Sequence, residues 1–163
     1  MFNKEGSGAS LKTALSNSNV ILDTSKATSL SSMFGYSAVL DVPVINTTSA
    51  DQVDRIFESS RILKTIDTLV LRDNGSQTFN NVFVNCNELE NLAIEGAIGQ
   101  NGFNVQWCSK LTHDSLISII NALQDKTSDT SGTVWKVTVG ETNLAKLSDD
   151  ELEIARQKGW NIA

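Results

Sequence analysis

One pattern of apolar residues recurs three times along this chain, and it narrows the possible folds more than anything else in the sequence. The segments SLSSMFGYSAVLDVPVI, QVDRIFESSRILKTIDTLVL and TFNNVFVNCNELENLAI align at Phe34, Phe57 and Phe83. Four residues before these anchors stand Leu30, Val53 and Phe79, and one before stand Met33, Ile56 and Val82. Three after stand the small residues Ser37, Ser60 and Cys86, and six after stand Leu40, Leu63 and Leu89. The first three columns have the i, i+3, i+4 spacing of one helix face, which predicts a short helix in each unit. Ser49, with Gln52 three residues on, reads as a capping box for the second of them.

Beyond each anchor the apolar period changes to two, as in a strand with one face turned inward. The inward pairs read as Pro43 and Ile45, then Leu69 and Leu71, then Leu92 and Ile94. The middle pair is displaced by three residues, which accounts for the longer second spacing. Leu11, Ala14, Val20 and Leu22 fit an earlier partial turn. One such unit cannot bury its apolar side alone, but stacked units share a continuous core. The expectation is therefore an α/β solenoid of short helices and one parallel sheet. Its strands fall near Val20–Leu22, Pro43–Ile45, Leu69–Leu71, Leu92–Ile94 and Val137–Val139, and its Phe anchors form one buried column.

The fourth turn departs from the pattern. Val105, Cys108 and Leu111 stay in column, while Asn101 and Asn104 replace apolar residues. A longer helix follows, from about Thr112 to Gln124, with Leu116, Ile119, Ile120 and Leu123 on one face and Thr112 as N-cap. Val137 and Val139 then read as the strand matching Leu92 and Ile94. Leu147, Ser148, Glu151 and Leu152 spell a capping box with a hydrophobic staple for a last helix, from about Asp149 to Lys158, which Gly159 stops. The division is thus a linker over 1–10, the solenoid over 11–111, and a helix–strand–helix cap over 112–163.

The segment DTSKATSLSSMFGYSAVL resembles the BspA-like leucine-rich repeats of bacterial surface and prophage proteins. In that family a Met-Phe or Ala-Phe step precedes a Cys and then a Leu. The step here is Met33-Phe34, Ile56-Phe57 and Val82-Phe83; Cys86 and Cys108 match the Cys, and Ser37 and Ser60 replace it earlier. The stretches LTHDSLISIINALQD and TNLAKLSDDELEIARQKGWNIA look like the C-terminal part of such proteins encoded near phage tail genes in gut Firmicutes. The resemblance covers roughly residues 20–163. It implies a leucine-rich-repeat fold and a surface-adhesin or virion-associated role, and it brings no catalytic residue.

Composition removes several classes of function. The net charge is −6, and the 13 basic residues are scattered, which disfavours nucleic acid and anionic membranes. No apolar run is long enough to span a bilayer. The start, MFNKEGSGASLKTAL, lacks the apolar core of a secretory signal, as in a chain exported otherwise or a piece of a longer one. EGSGAS has neither strand nor helix around it and reads as linker. Two cysteines and one histidine give no metal-ligand set, so no metal and no cofactor is expected. Cys86 and Cys108 read as buried free thiols, His113 as a surface residue, and Asp149, Asp150 and Glu151 as helix-capping acids. Trp107, Trp135 and Trp160 read as packing in the cap. No nucleophile–base pair is apparent, so no enzyme is expected.

What is left is a surface. The residues between the inward pairs are Ile21, Val44, Val70, Ala93 and Thr138, and they should form one outward row across the sheet, flanked by Asp23, Asn46, Arg72 and Glu95. Solvent-facing sheet positions are usually polar, so an apolar row points to an interface. The function expected is a non-catalytic module that binds a protein or cell-surface ligand, or a second copy of itself. The alternative is a structural or assembly module of a larger virion or surface protein. Either role places the chain at a cell surface or on a virion.

Overall fold

The computed structural model describes residues 22–163, so Leu11, Ala14, Val20 and Ile21 lie outside the described residues. The architecture is mixed α/β, with few short helices, small parallel sheets and no barrel. The main sheet holds β1 (Asp41–Val42), β2 (Ile45–Asn46), β3 (Thr65–Val70) and β4 (Asn91–Glu95), all pairing in parallel. β1 and β2 both pair with the same edge of β3, and β4 pairs with its other edge. They are two halves of one rung, interrupted at Pro43, which has no amide hydrogen to give to the ladder.

The segments around the Phe anchors are not helices. They are successive tight turns, and Ser49 caps nothing: its hydroxyl donates to the Ser25 carbonyl instead. Two residues of each turn have left-handed backbone: Ser32 and Tyr36, Arg55 and Ser59, Asn81 and Asn85, all with φ between 54° and 59°. Only the third turn uses Asn at both places, the residue that tolerates this conformation best after Gly. What the turns gain is a second set of partners. The amides of Ser32, Phe34 and Tyr36 donate to the carbonyls of Asp54, Ile56 and Glu58 in the next turn. Those of Arg55, Phe57 and Ser59 donate onward to Asn80, Val82 and Val84. The intervening amides of Met33, Gly35 and Ser37 fold back to Leu30, Ser32 and Phe34. Alternate amides thus bond along the stack and within the turn. An α-helix would direct all of them inside its own segment.

The Phe anchors form one column as expected. The rings of Phe34 and Phe57 lie 5.6 Å apart and nearly parallel, and those of Phe57 and Phe83 5.8 Å apart. Phe103 ends the column edge-on, 5.6 Å from Phe83 and 5.2 Å from Phe79. All four rings are buried, and so are Val105, Cys108 and Leu111 of the fourth turn.

The strand register differs from the expected one. Val42 pairs with Ile66 and Ile45 with Leu69, so the inward pair of the first rung is Val42 and Ile45; Pro43 is only half-buried. On the far side Ile66 pairs with Leu92 and Leu69 with Ile94, which sets Asp67 and Thr68 of β3 against Ala93 alone. A bulge of this kind places two residues opposite one, and it keeps residues spaced by three on the same face. Ile66 stands nine residues after Phe57, as Leu92 does after Phe83, so the three-residue displacement read from Leu69 and Leu71 is a slip of register, and the bulge adds only one residue before Leu69.

Val137 and Val139 are buried, but Val137 belongs to a different sheet and Val139 lies just past the end of its strand. β5 (Trp135–Val137) pairs with β6 (Trp160–Ile162), and its neighbour on the other side is the fourth turn, through Asn104 and Thr138. The place beside β4 belongs to α1 (His113–Asn121), which Thr112 caps as expected. Its Ser115 and Ser118, one turn apart on the side facing β4, accept the amides of Leu92 at 2.9 Å and Ile94 at 2.8 Å. A short α2 (Glu141–Leu144) and then α3 (Asp149–Gln157) complete the C-terminal region. The Ser148–Glu151 capping box forms as read, and Gly159 follows α3 with φ 80°. Lys158 Nζ donates to the last carbonyls of α1, at Ile120 and Asn121, and so ties the two helices together.

Two stability predictions follow from this bonding. Truncating Phe57 to Ala empties the middle of the ring column and should cost about 3–5 kcal/mol. A melting curve matching the parent would show that the column does not carry the core. Ser115→Ala leaves the buried Leu92 amide without its acceptor and should cost about 1–3 kcal/mol. Ser115→Thr, which keeps the hydroxyl, should recover most of that loss in the same denaturant titration.

Candidate functional site

The outward positions of the main sheet fall into three ranks. Asp41, Thr65 and Asn91 make the first. Pro43 and Val44, Asp67 and Thr68, and Ala93 make the second, where the bulge lies. Asn46, Val70 and Glu95 make the third. Val44 is 49% exposed, Asp67, Ala93, Asn91 and Glu95 are exposed, and Val70 is half-buried.

The expected apolar row is therefore broken. Val44 and Ala93 share a rank, with Asp67 and Thr68 between them. Val70 sits in the next rank, between Asn46 and Glu95. The cause is the register: column spacing sets Leu69 against Pro43, whereas Leu69 pairs with Ile45. Thr138 is not on this face at all; it is half-buried beside Asn104, because β5 joins the other sheet. Ile21 lies outside the described residues. Of the expected row, the structure brings together Val44, Val70 and Ala93. Of the expected rim, Asn46 and Glu95 flank Val70, and Arg72 is held off the face by Asp51, at 2.7 Å, and by the Thr48 carbonyl. Asp23 accepts from the Ser25 amide and hydroxyl, which holds its carboxyl below the usual range.

What the sequence reading missed is a wall. Because Ser115 and Ser118 hold α1 against β4, the first turns of the helix rise along one side of the sheet face. The result is an open groove of about 360 Å³, with Thr65, Asp67, Asn91 and Ala93 on its floor and Thr112, Asp114 and Ser118 on its wall. The signal for it was present. Two serines one turn apart, interleaved with Leu116, Ile119 and Ile120, had no reason to face a core unless they met polar backbone. A second hollow, of about 440 Å³, is lined by Leu22, Thr24, Ala27, Leu30 and Met33. It borders the point where the described residues begin and carries no argument.

The groove offers carboxylates, hydroxyls and amides, with no nucleophile paired to a base. No group of three or more His, Cys, Asp or Glu side chains is placed to hold a metal among the described residues. His113 is half-exposed, as expected, but it is not isolated. Its Nε2 lies 2.7 Å from Glu151, linking the starts of α1 and α3. Glu151 is held below the usual carboxylate range, first by the hydrogen bonds from Ser148 and then by His113. No helix of the described residues is long and apolar enough to cross a membrane.

The cysteines lie far inside. Cys86 and Cys108 are free and fully buried in the small-residue column. In that column each side chain reaches back to the Phe carbonyl of the turn before it: Ser60 to Phe34, Cys86 to Phe57 and Cys108 to Phe83. Burial pushes the Cys86 thiol up to about 12, and raises that of Cys108 as well. The thiolate is the reactive form, so native labelling should be slow and both thiols should titrate once the chain is unfolded. Rapid labelling of the native protein would contradict the burial of the column. A missing thiol after denaturation would mean a bridge.

No protein-family model, no curated protein and no solved structure matches the chain.

Proposed function

We propose that this chain is a leucine-rich-repeat solenoid of the BspA-like type, and that it works as a non-catalytic binding module through the outer face of its main sheet. The observation that carries the reading is the uncovered face itself. The inner side of β1–β4 packs on the Phe column, and the free edge of β4 is sealed by α1. The outer side keeps Val44, Asp67, Asn91, Ala93 and Glu95 in solvent. Binding surfaces on rigid, short-rung scaffolds are built from such rows, because each rung fixes the position of its outward side chains. The turn-to-turn bonding at 22- and 25-residue offsets, with rings stacked at 23 and 26, supports the repeat part of the reading. The ligand is a protein or cell-surface component, met at a bacterial surface or on a virion.

The test is a Val44→Lys, Ala93→Lys double variant. Both side chains are exposed and share a rank, so the fold should melt as the parent does. Parent and variant are compared on immobilised glycans and on bacterial cells, and by sedimentation velocity for self-association. The variant should lose most of the binding or association that the parent shows. Equal behaviour of the two would place the working surface elsewhere, and a parent inert in all three assays would remove the binding reading.

A further inference from the structure

We propose that the occupant of this face is a cationic extended segment of a partner protein, laid across the bulge rank and into the groove against α1. The proposal rests on the preceding reading of the sheet face as the working surface.

Charge distribution over the face argues for it. The outward ranks carry Asp41, Asp67 and Glu95, the groove wall adds Asp114, and no Lys or Arg occupies an outward strand position. The cations nearest the strand ends are already engaged. Lys64 lies 4.0 Å from Glu90, and Arg72 is bound to Asp51. Around the turns and helices, carboxylates have found partners in the same way: Glu58 with Arg55, Glu88 with Lys110, Glu153 with Arg156. Asp41, Asp67 and Glu95 have no ion pair among the described residues, and Asp114 has only the His113 ring at 3.9 Å. Asp114 has a local reason to be acidic, since it opens a helix. Asp67 has none. It stands in the bulge, in the middle of an otherwise neutral floor, where Thr would serve a strand better.

The shape argues for the form of the occupant. The floor is low and open, and Ala93 is the smallest residue of its rank, so a backbone can approach β4 closely. Adjacent strands are about 4.8 Å apart, so crossing from β1 to β4 takes only a few extended residues at about 3.3 Å each. Val44 and Ala93 offer apolar contact for the stem of a Lys or Arg, while Asp67 and Asp114 meet its head. Sugar platforms rely on exposed aromatic rings, and this face has none: Tyr36 and Trp107 are exposed on the turns. Complementary charge of this kind sets association rate and partner choice, and salt weakens it.

The experiment uses the full chain and two fluorescein-labelled peptides of about ten residues, one alternating Lys with Thr and one alternating Glu with Thr, matching a strand period of about two. Anisotropy is read at low salt and again near physiological ionic strength, where the Debye length is about 8 Å. The Lys peptide should bind and the Glu peptide should not. Asp67→Asn with Asp114→Asn should weaken the Lys peptide about tenfold, a loss of about 1.4 kcal/mol. Asp149→Asn with Asp150→Asn, an equal change in net charge at the start of α3, should alter it less than about twofold near physiological ionic strength, because neither side chain lines the groove. Amide shifts in a labelled sample should move at Thr65, Asp67, Asn91, Ala93 and Ser118. Equal losses in the two charge-matched pairs would reduce the effect to net charge and overturn the proposal. So would shifts that map elsewhere, or a glycan that moves the same amides and binds Asp67→Asn, Asp114→Asn unchanged. If the Lys peptide fails while Val44→Lys, Ala93→Lys still abolishes cell or glycan binding, the face stands as the working surface and only the cationic occupant falls.

Discussion

The structure depends on backbone amides that bond from one turn to the next. A buried amide or carbonyl without a partner is costly, so a chain that packs turns against one another must find partners for each. This chain does so by alternating. One amide closes its own tight turn, and the next reaches the carbonyl of the following turn. The alternation requires left-handed residues at fixed places, and they occur at the same two columns in three successive turns. Once that ladder is set, the side chains have no freedom of column. The Phe rings must stack, and the small residue three positions on must sit beneath the previous Phe carbonyl, where Ser60 and Cys86 donate to it. A larger side chain in that column would push the turns apart. This is the physical content of the Ser–Ser–Cys–Cys series at Ser37, Ser60, Cys86 and Cys108.

A ladder of this kind leaves unsatisfied groups at its ends. At β4 the chain stops adding rungs and lays α1 against the edge, side-on. A helix has no free backbone amides or carbonyls along its flank, so it meets a strand edge only through side chains. Ser115 and Ser118 supply the acceptors, and Ser115 also donates to the Glu90 carbonyl. Thr24 does the same for the Asn46 amide on the opposite side of the sheet. Exposed strand edges invite pairing with other chains. Hydroxyl capping keeps this sheet at three rungs deep among the described residues. The same helix that seals the edge also raises the groove wall, so one packing solution produces both the end of the sheet and the shape of its outer face.

The columns were legible in the sequence because burial writes directly into residue type. Phe34, Phe57, Phe83 and Leu63, Leu89 could be read without a structure, and so could the cap motifs at Thr112 and Ser148, whose partners lie within four residues. Three things were not legible. A spacing of i, i+3, i+4 fits both a helix face and a series of tight turns whose every second amide leaves the segment, and only the left-handed residues tell them apart; Arg55 and Ser59 give no local hint of it. The bulge at Asp67 and Thr68 defeats a strict two-residue period, which puts Leu71 where Leu69 belongs and draws the outward row from two ranks. Val137 and Val139 have the right residues for a fifth rung, yet their place beside β4 was taken by α1. Sequence pattern reports that a strand is buried, but not which edge it finds.

The corrected ranks change the character of the face. A row of Val, Val and Ala across one rank would be a dry strip, suited to another apolar surface. In the observed arrangement the apolar groups are separated by Asp67 and Thr68 in one rank and flanked by Asn46 and Glu95 in the next. Buried against an apolar partner, Asp67 would lose its water without gaining a counterion, and such desolvation costs several kcal/mol. A dry interface over this rank is therefore disfavoured by the same bulge that puts Asp67 there. A partner that brings its own cations removes the penalty, because it replaces water around the carboxylate with a charged donor. Register thus decides between two kinds of partner. The single residue that β3 carries in excess of β4 puts a carboxylate and a hydroxyl where a continuous apolar strip would otherwise run.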